Sequence, residues 1–210
     1  DNAPIVKDIY GGVIDILMED LKENETETDK IVKAMEFTRK FLKDMANEEF
    51  STSKLIISKS LRSFYKNPQS IAHKVLADRM GIRDPGNKPR PGDRIPFMYI
   101  QTKGKVKLQG DKIEHPDFIE KNKLKPDYGF YISNQIMKPL LQVFALVLHK
   151  MPEFKRKSRN FQNKLEILKQ TMEDDKYLEK ESKLKNKEVE KILFEDALRK
   201  IKNKKEGHIS

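Results

Sequence analysis

The sequence contains no cysteine and no tryptophan. Without cysteine there can be no disulfides, no thiolate zinc sites and no cysteine-held iron–sulfur clusters, and the chain is compatible with a reducing compartment. Long apolar runs are missing too: the densest, residues 139–148, is interrupted by Gln142 and falls well short of a membrane span. Gly11-Gly12 lacks the lysine of a phosphate-binding loop. The four histidines, His73, His115, His149 and His208, form no i, i+4 pair, so no metal site is expected. Apolar material is scarce, 37% hydrophobic against 36% charged, which predicts one modest core with helical extensions, some needing a partner surface. The opening Asp1-Asn2-Ala3-Pro4 has no initiator Met and no signal core, and is read as a piece of something longer.

What the chain does have is charge, unevenly placed. Residues 54–109 carry 13 Lys and Arg against three acids, Asp78, Asp84 and Asp93, while the rest balances at 30 of each sign, so the net +10 resides entirely in this block. A basic block between neutral flanks is the electrostatic footprint of a surface that meets a polyanion.

The periodicity predicts helices over 8–21 (Ile9, Val13, Ile16 and Leu17 inward) and over 28–45, with Thr28 as N-cap and Ile31, Met35, Thr38, Leu42 and Met45 as inner stripe. Leu55-Ile56-Ile57 reads as a strand. Asn67-Pro68 opens a third helix, apolar through Ile71, Val75, Leu76 and Met80 and ended by Gly81. A proline-stiffened connector, 84–92, follows. Residues 95–102 read as a strand that Pro96 confines to an edge or to its first residues, turning at Lys103-Gly104 and returning through Val106 and Leu108. One long helix is expected over 127–149, buried through Ile132, Ile136, Met137, Leu140, Phe144 and Val147. Beyond Pro152, a basic patch precedes two amphipathic helices, one through Phe161, Leu165 and Leu168, the other through Val189, Ile192, Leu193, Ala197 and Ile201, with residues 202–210 frayed. The class is mainly α with a small β element.

Arg79, Arg83, Lys88, Arg90 and Arg94 fall within sixteen residues, flanking a stiff connector, a setting suited to bidentate phosphate contact. Lys59, Arg62 and Lys66 add charge upstream, with Ser58, Ser60 and Tyr65 as neutral phosphate donors. Such contacts position nucleic acid without reading its sequence. With roughly four to six phosphates engaged, the log–log salt slope on duplex DNA would be about −4 to −5.

Several phrases resemble the thumb of family B DNA polymerases: Ile57-Ser58-Lys59-Ser60-Leu61, Ala72-His73-Lys74-Val75-Leu76-Ala77-Asp78-Arg79-Met80, Arg83-Asp84-Pro85-Gly86 and Gly92-Asp93-Arg94-Ile95-Pro96-Phe97. The run from Asp127-Tyr128-Gly129 to Lys138-Pro139-Leu140-Leu141 is similar to that family's Y-Y-x-x-N-Q-[IL]-x-K-P-[IL] signature. Asp1-Asn2 resembles the close of its R-R-D-N motif at the palm edge. The ordered set spans about residues 1–150 and looks most like eukaryotic replicative and large-DNA-virus members.

The resemblance implies three parts: 1–50 as end of palm and helical entry, 51–150 as DNA-gripping thumb, and 151–210 as C-terminal helical extension. It implies template-directed DNA synthesis by the parent, with this stretch gripping the primer–template duplex. Lys59 and Arg94 carry over as phosphate contacts, joined by Ser60, His73, Arg79 and Tyr99; Arg62, Arg83, Lys88 and Arg90 complete the candidate nucleic-acid-binding set. Asp93 is read as orienting Arg94 or a turn amide, and Asn134 and Gln135 as bonding neighbouring backbone.

The palm motifs of the Y-G-D-T-D and S-L-Y-P-S kind are absent, so no catalytic residue and no cofactor are assigned here, and Mg2+ is expected in a palm outside this sequence. Asp15, Glu19 and Asp20 are read as a solvent face, and Glu173-Asp174-Asp175 as a turn. The implied partners are duplex DNA, the palm, fingers and exonuclease parts of the polymerase, and a processivity factor, without a membrane. The implied setting is intracellular, the nucleus or a viral replication site. An excised fragment and a separately encoded subunit both remain open. So does a non-catalytic nucleic-acid-binding or accessory-protein-binding module. The polymerase reading expects the face Ile9, Val13, Ile16 to seek a palm surface.

Overall fold

A computed structural model describes residues 2–207. Asp1 of the Asp-Asn phrase, His208 and the end of the tail lie outside the described residues. In chain order the elements are α1 (Pro4–Met18), α2 (Glu27–Ala46), β1 (Ile57–Ser60), α3 (Ala72–Arg83), β2 (Arg94–Tyr99), β3 (Ile113–Glu114), α4 (Pro116–Lys121) and α5 (Tyr128–Tyr131). A π turn (Ile132–Ile136) then leads into α6 (Met137–Ala145), α7 (Pro152–Lys155), α8 (Ser158–Thr171), α9 (Asp174–Leu193) and α10 (Glu195–Lys205). The fold is mainly helical with one small sheet, as its composition and periodicity predict.

The chain divides into two compact units, one built from Phe50–Tyr131 with the first residues up to Ile5, the other from Val6–Glu49 and the chain from Ile132 onward. In the first, an antiparallel sheet has the order β1-β2-β3. Its register pairs Ile57 with Phe97, Ser58 with Pro96, Lys59 with Ile95 and Ser60 with Arg94. Pairing of β3 is confined to Met98 and Tyr99, so Pro96 lies in the middle strand but where only β1 is its neighbour, and its missing N–H breaks no ladder. Leu61 N–H donates to the Asp93 carbonyl (2.8 Å) and Gly92 N–H to the Leu61 carbonyl (2.7 Å), closing the connector onto β1. Gly92 takes φ +92° there, a conformation that favours glycine.

Four sequence expectations are corrected here. The first strand begins at Ile57, because residues Thr52–Leu55 form a 3-10 turn capped by Ser51. The third helix starts at Ala72, after a separate 3-10 turn at Pro68–Ser70 in which the Asn67 side chain makes no cap bond. It runs through Gly81 to Arg83. Gly81 is a close-approach residue: a Cβ there would meet the Lys88 stem at 2.8 Å. The return strand is Ile113–Glu114 rather than residues 106–108, because Gly110, in a 3-10 turn, first packs against α3. A Cβ on Gly110 would meet Val75 Cβ at 2.4 Å and the Ala72 carbonyl at 2.9 Å.

In the second unit α2 begins at Glu27, with Thr26 rather than Thr28 as N-cap: the Thr26 hydroxyl accepts from Asp29 N–H and the Asp29 carboxylate accepts from Thr26 N–H. The stripe Ile31, Met35, Thr38, Leu42, Met45 is buried as expected, with the Thr38 hydroxyl donating to the Ala34 carbonyl. Gly12 lets α1 approach the Phe37 ring of α2. Ile9 and Val13 are fully buried by the chain's own packing, against the expectation that they seek a further surface, while Ile16 is half-buried.

The long helix expected over 127–149 is three segments, α5, the π turn and α6. Pro139 has no N–H for the Gln135 carbonyl and its ring crowds that oxygen, a conflict that a widened turn ahead of it relieves. The last expected helix is two, parted at Phe194, which is fully buried at the bend. α9 packs on α6 and α10 on α2. Helix α10 continues to Lys205, so residues 202–205, expected to be frayed, are helical.

Candidate nucleic-acid interface

The pleat of β1 and β2 sorts their side chains. Ile57, Ile95 and Phe97 are buried on one face, while Ser58, Ser60 and Arg94 share the other. There the Arg94 guanidinium is held by three bonds, Nε to Ser58 Oγ (3.2 Å), Nη1 to Ser60 Oγ (3.1 Å) and Nη2 to the Ser58 carbonyl (2.9 Å). All three acceptors are neutral, so the charge stays uncompensated at an exposed position. A cation oriented by hydroxyls and faced by solvent is arranged to donate to an anionic oxygen.

A second group gathers where β1 ends. Lys59 falls on the opposite pleat from Arg94 and lies within electrostatic range of His73 on α3, as does Arg62. The Tyr65 hydroxyl accepts from Arg62 N–H (2.8 Å) and bonds His73 Nε2 (3.1 Å). Burial, then the charge of Lys59, holds the His73 imidazole below its ordinary range, while a bond to the Ser60 backbone acts the other way. Its neutral form is therefore favoured by folding. Protonation is easier in the unfolded chain, so the contribution is intact above the unfolded value of 6.5 and is lost as pH falls below it. The urea midpoint is expected to drop between pH 7.5 and 5.5, and to drop less in His73→Gln.

A third group centres on a buried acid. Glu114 of β3 is 6% exposed and receives two arginines of α3: Arg79 Nε (3.2 Å), and Arg83 Nη1 (2.9 Å) and Nη2 (2.8 Å). Arg79 also donates to the carbonyls of Gly110 (3.1 Å) and Ile113 (2.7 Å). Arg83 stacks 3.6 Å above the Phe118 ring, and its bonds to Glu114 hold its pKa above the ordinary value. Both arginines, though partly exposed, are thus paired to Glu114, bracing α3 against β3.

The remaining candidates are dispersed along the connector. Lys88 lays its stem over Gly81. Arg90 is exposed, its amide donating to Asp93 Oδ2 (2.9 Å), the turn-amide role expected of Asp93. Tyr99 turns into an aromatic cluster, stacked on Phe130 at 4.1 Å and edge-on to Tyr131 at 5.7 Å; burial raises its hydroxyl pKa. Asn134 is exposed and its side chain bonds no neighbouring backbone among the described residues. The basic residues therefore form separate groups rather than one stripe. Among the described residues, Lys59, Arg62, Lys66, Lys88, Arg90 and Arg94 have no carboxylate partner.

Sequence reasoning missed Glu114, which lies just outside the basic block. The sequence offers no signal for it: Ile113 is the one β-branched residue of its segment, and strand alternation would place Glu114 on the opposite face from Ile113. A metal pair does not fit the acids present: Asp15, Glu19 and Asp20 are exposed, Glu19 lies 3.9 Å from Lys33, and among the described residues no group of three or more His, Asp or Glu is placed to hold a metal ion. No helix among them is long and apolar enough to cross a membrane.

The family model of DNA polymerase family B matches residues 1–147. The DNA polymerase of Pyramimonas orientalis virus is 46% identical over 99% of this chain, which covers 17% of that protein. That match extends through the C-terminal helices, where the family motifs end. The DNA polymerase of Acanthamoeba polyphaga mimivirus is 50% identical over 70% of this chain and 8% of its own length. The DNA polymerase delta catalytic subunit of Caenorhabditis elegans is 33% identical over 70% of this chain and 13% of its own length. The family B DNA polymerase of the archaeon Pyrobaculum calidifontis shares the fold over 67% of this chain and 17% of that one, with a TM-score of 0.54 at 18% identity. The chain thus spans less than a fifth of the length of each of these relatives. By the family model across most of its length and by relatives near half identity, it belongs to DNA polymerase family B.

Proposed function

We propose that residues 51–150 are the thumb of a DNA-directed DNA polymerase and grip primer–template duplex by its phosphates. Residues 1–50 are the palm edge and helical entry, and 151–210 a C-terminal extension. Arg94 carries the reading: a guanidinium fixed by Ser58 and Ser60, left uncompensated on an exposed sheet face, with Lys59 on the opposite pleat and Arg62 just beyond the same strand end. The phosphate set is Lys59, Ser60, Arg62, Lys88, Arg90 and Arg94, with His73 supporting the loop; Arg79, Arg83 and Tyr99 serve the fold. Deoxynucleotide addition and the two magnesium ions it uses belong to palm carboxylates that these residues do not supply, so this chain alone binds DNA and extends nothing.

Electrophoretic binding to primer–template DNA across a salt series tests this. The Arg94→Ala, Lys59→Ala variant is expected to show a log–log slope shallower by about one to two units. An unchanged slope would remove both side chains from the phosphate contacts. A second reading, accessory-protein contact by the C-terminal helices, is supported by exposed Leu146 and Leu178, which line a cavity of about 440 Å³ with Phe154 and Phe161. Salt-independent protein binding would favour it.

A further inference from the structure

The loop after β1 holds Phe64 outward, 78% exposed, between two exposed cations, Arg62 and Lys66. Its neighbour Tyr65 does the opposite. The Tyr65 hydroxyl accepts from Arg62 N–H (2.8 Å), meets His73 Nε2 (3.1 Å), and its ring stands edge-on to the imidazole at 5.9 Å. The loop is thereby closed by its own tyrosine, while the phenyl ring beside it stands in solvent.

A large apolar ring displayed between cations fits a polyanion that also offers apolar surface, and DNA is such a partner. Two modes are available: stacking on an unpaired base, or insertion into the minor groove against sugars and base edges. Binders of single strands set out several rings in succession. Here the neighbouring Tyr65 is turned to His73, and Tyr99 to Phe130. One apolar side chain flanked by basic residues is instead the pattern of a groove wedge. We infer that Phe64 is a minor-groove contact for duplex DNA, with Arg62 and Lys66 holding the phosphates on either side of it. This rests on the duplex-gripping reading above, whose family resemblance implies a minor-groove side, and adds to it the residue that would make the contact.

The test uses the whole chain, wild type and Phe64→Ala, on primer–template duplex and on single-stranded DNA of equal length, over a salt series. Because the ring is exposed, both proteins should give the same thermal unfolding curve. Duplex affinity is expected to fall about tenfold in Phe64→Ala, with the salt slope unchanged because no phosphate contact is lost. Phe64→Leu should keep most of the affinity. Equal duplex affinity of wild type and Phe64→Ala would overturn the groove contact and leave the phosphate grip standing. An equal loss on single-stranded DNA would overturn it in favour of base stacking. No salt-dependent duplex binding by the wild type would overturn the grip itself, and the wedge with it.

Discussion

Glu114→Ala is expected to cost the chain about 2–3 kcal/mol of stability, read as a lowered urea midpoint with lost hydrogen-exchange protection in α3 and β3. Its carboxylate is nearly inaccessible and neutralises two guanidinium groups at once. Truncation leaves Arg79 with the carbonyls of Gly110 and Ile113 and a longer ion pair to Asp111 at 3.8 Å, and Arg83 with the Phe118 ring. The cost stays below the upper range for broken buried pairs because the arginine side chains are 25% and 33% exposed and can swing toward water. Removing the other side, Arg79→Ala with Arg83→Ala, strands a carboxylate that cannot reach solvent, and about 3–5 kcal/mol should be lost. The single Arg83→Ala variant should destabilise while leaving the DNA salt slope as in wild type. A slope shallower by one unit would return Arg83 to the phosphate contacts.

Tyr131→Phe removes a single oxygen and is expected to cost about 2 kcal/mol. The buried hydroxyl donates to the Leu55 carbonyl at 2.6 Å and accepts from Tyr99 N–H at 3.0 Å, tying α5 to the turn before β1 and to the end of β2. Phenylalanine fills the same volume but leaves a carbonyl and an amide without their partner, and that desolvation penalty exceeds the net worth of the bonds themselves. Burial holds the hydroxyl pKa far above its ordinary value of 10. The stabilisation is therefore complete below that value and is lost only as pH rises beyond it. Guanidinium melts of wild type and Tyr131→Phe at pH 7 and 9 should show the same difference. Equal midpoints for the two proteins would mean water replaces the hydroxyl at both groups.

The inner stripe of α2 is plain in the sequence because Ile31, Met35, Leu42 and Met45 repeat at helical spacing and nothing in that stretch competes with it. The sheet was harder. Periodicity sees Val106 and Leu108 alternating with lysines and reads a strand, but Gly110 must first dock against Val75, so pairing waits until Ile113. Arg79 and Arg83 show the same limit for the interface. A basic count treats all arginines alike, and only tertiary packing reveals that one acid from outside the block claims two of them. Arg94 was legible through the basic cluster and the Gly92–Phe97 phrase that carries the resemblance, whereas its partners Ser60, directly across the register, and Ser58, diagonal to it, emerge only from the strand pairing. Phe64 carried no signal in sequence, since an aromatic in a loop looks the same whether it turns in or out.

The four-residue beat of Ile132, Ile136, Leu140 and Phe144 has an arithmetic consequence. On an unbroken α-helix each such step overshoots a full turn by about 40°, so the fourth residue would sit well around the cylinder from the first. All four are nevertheless fully buried. The slack turn at the front of the series unwinds what the tighter turns behind it add, much as a leap day keeps a calendar in season. A one-residue insertion or deletion between Ser133 and Gln135 would thus act as an angular error rather than a change of length, carrying Leu140 and Phe144 off the side they now share.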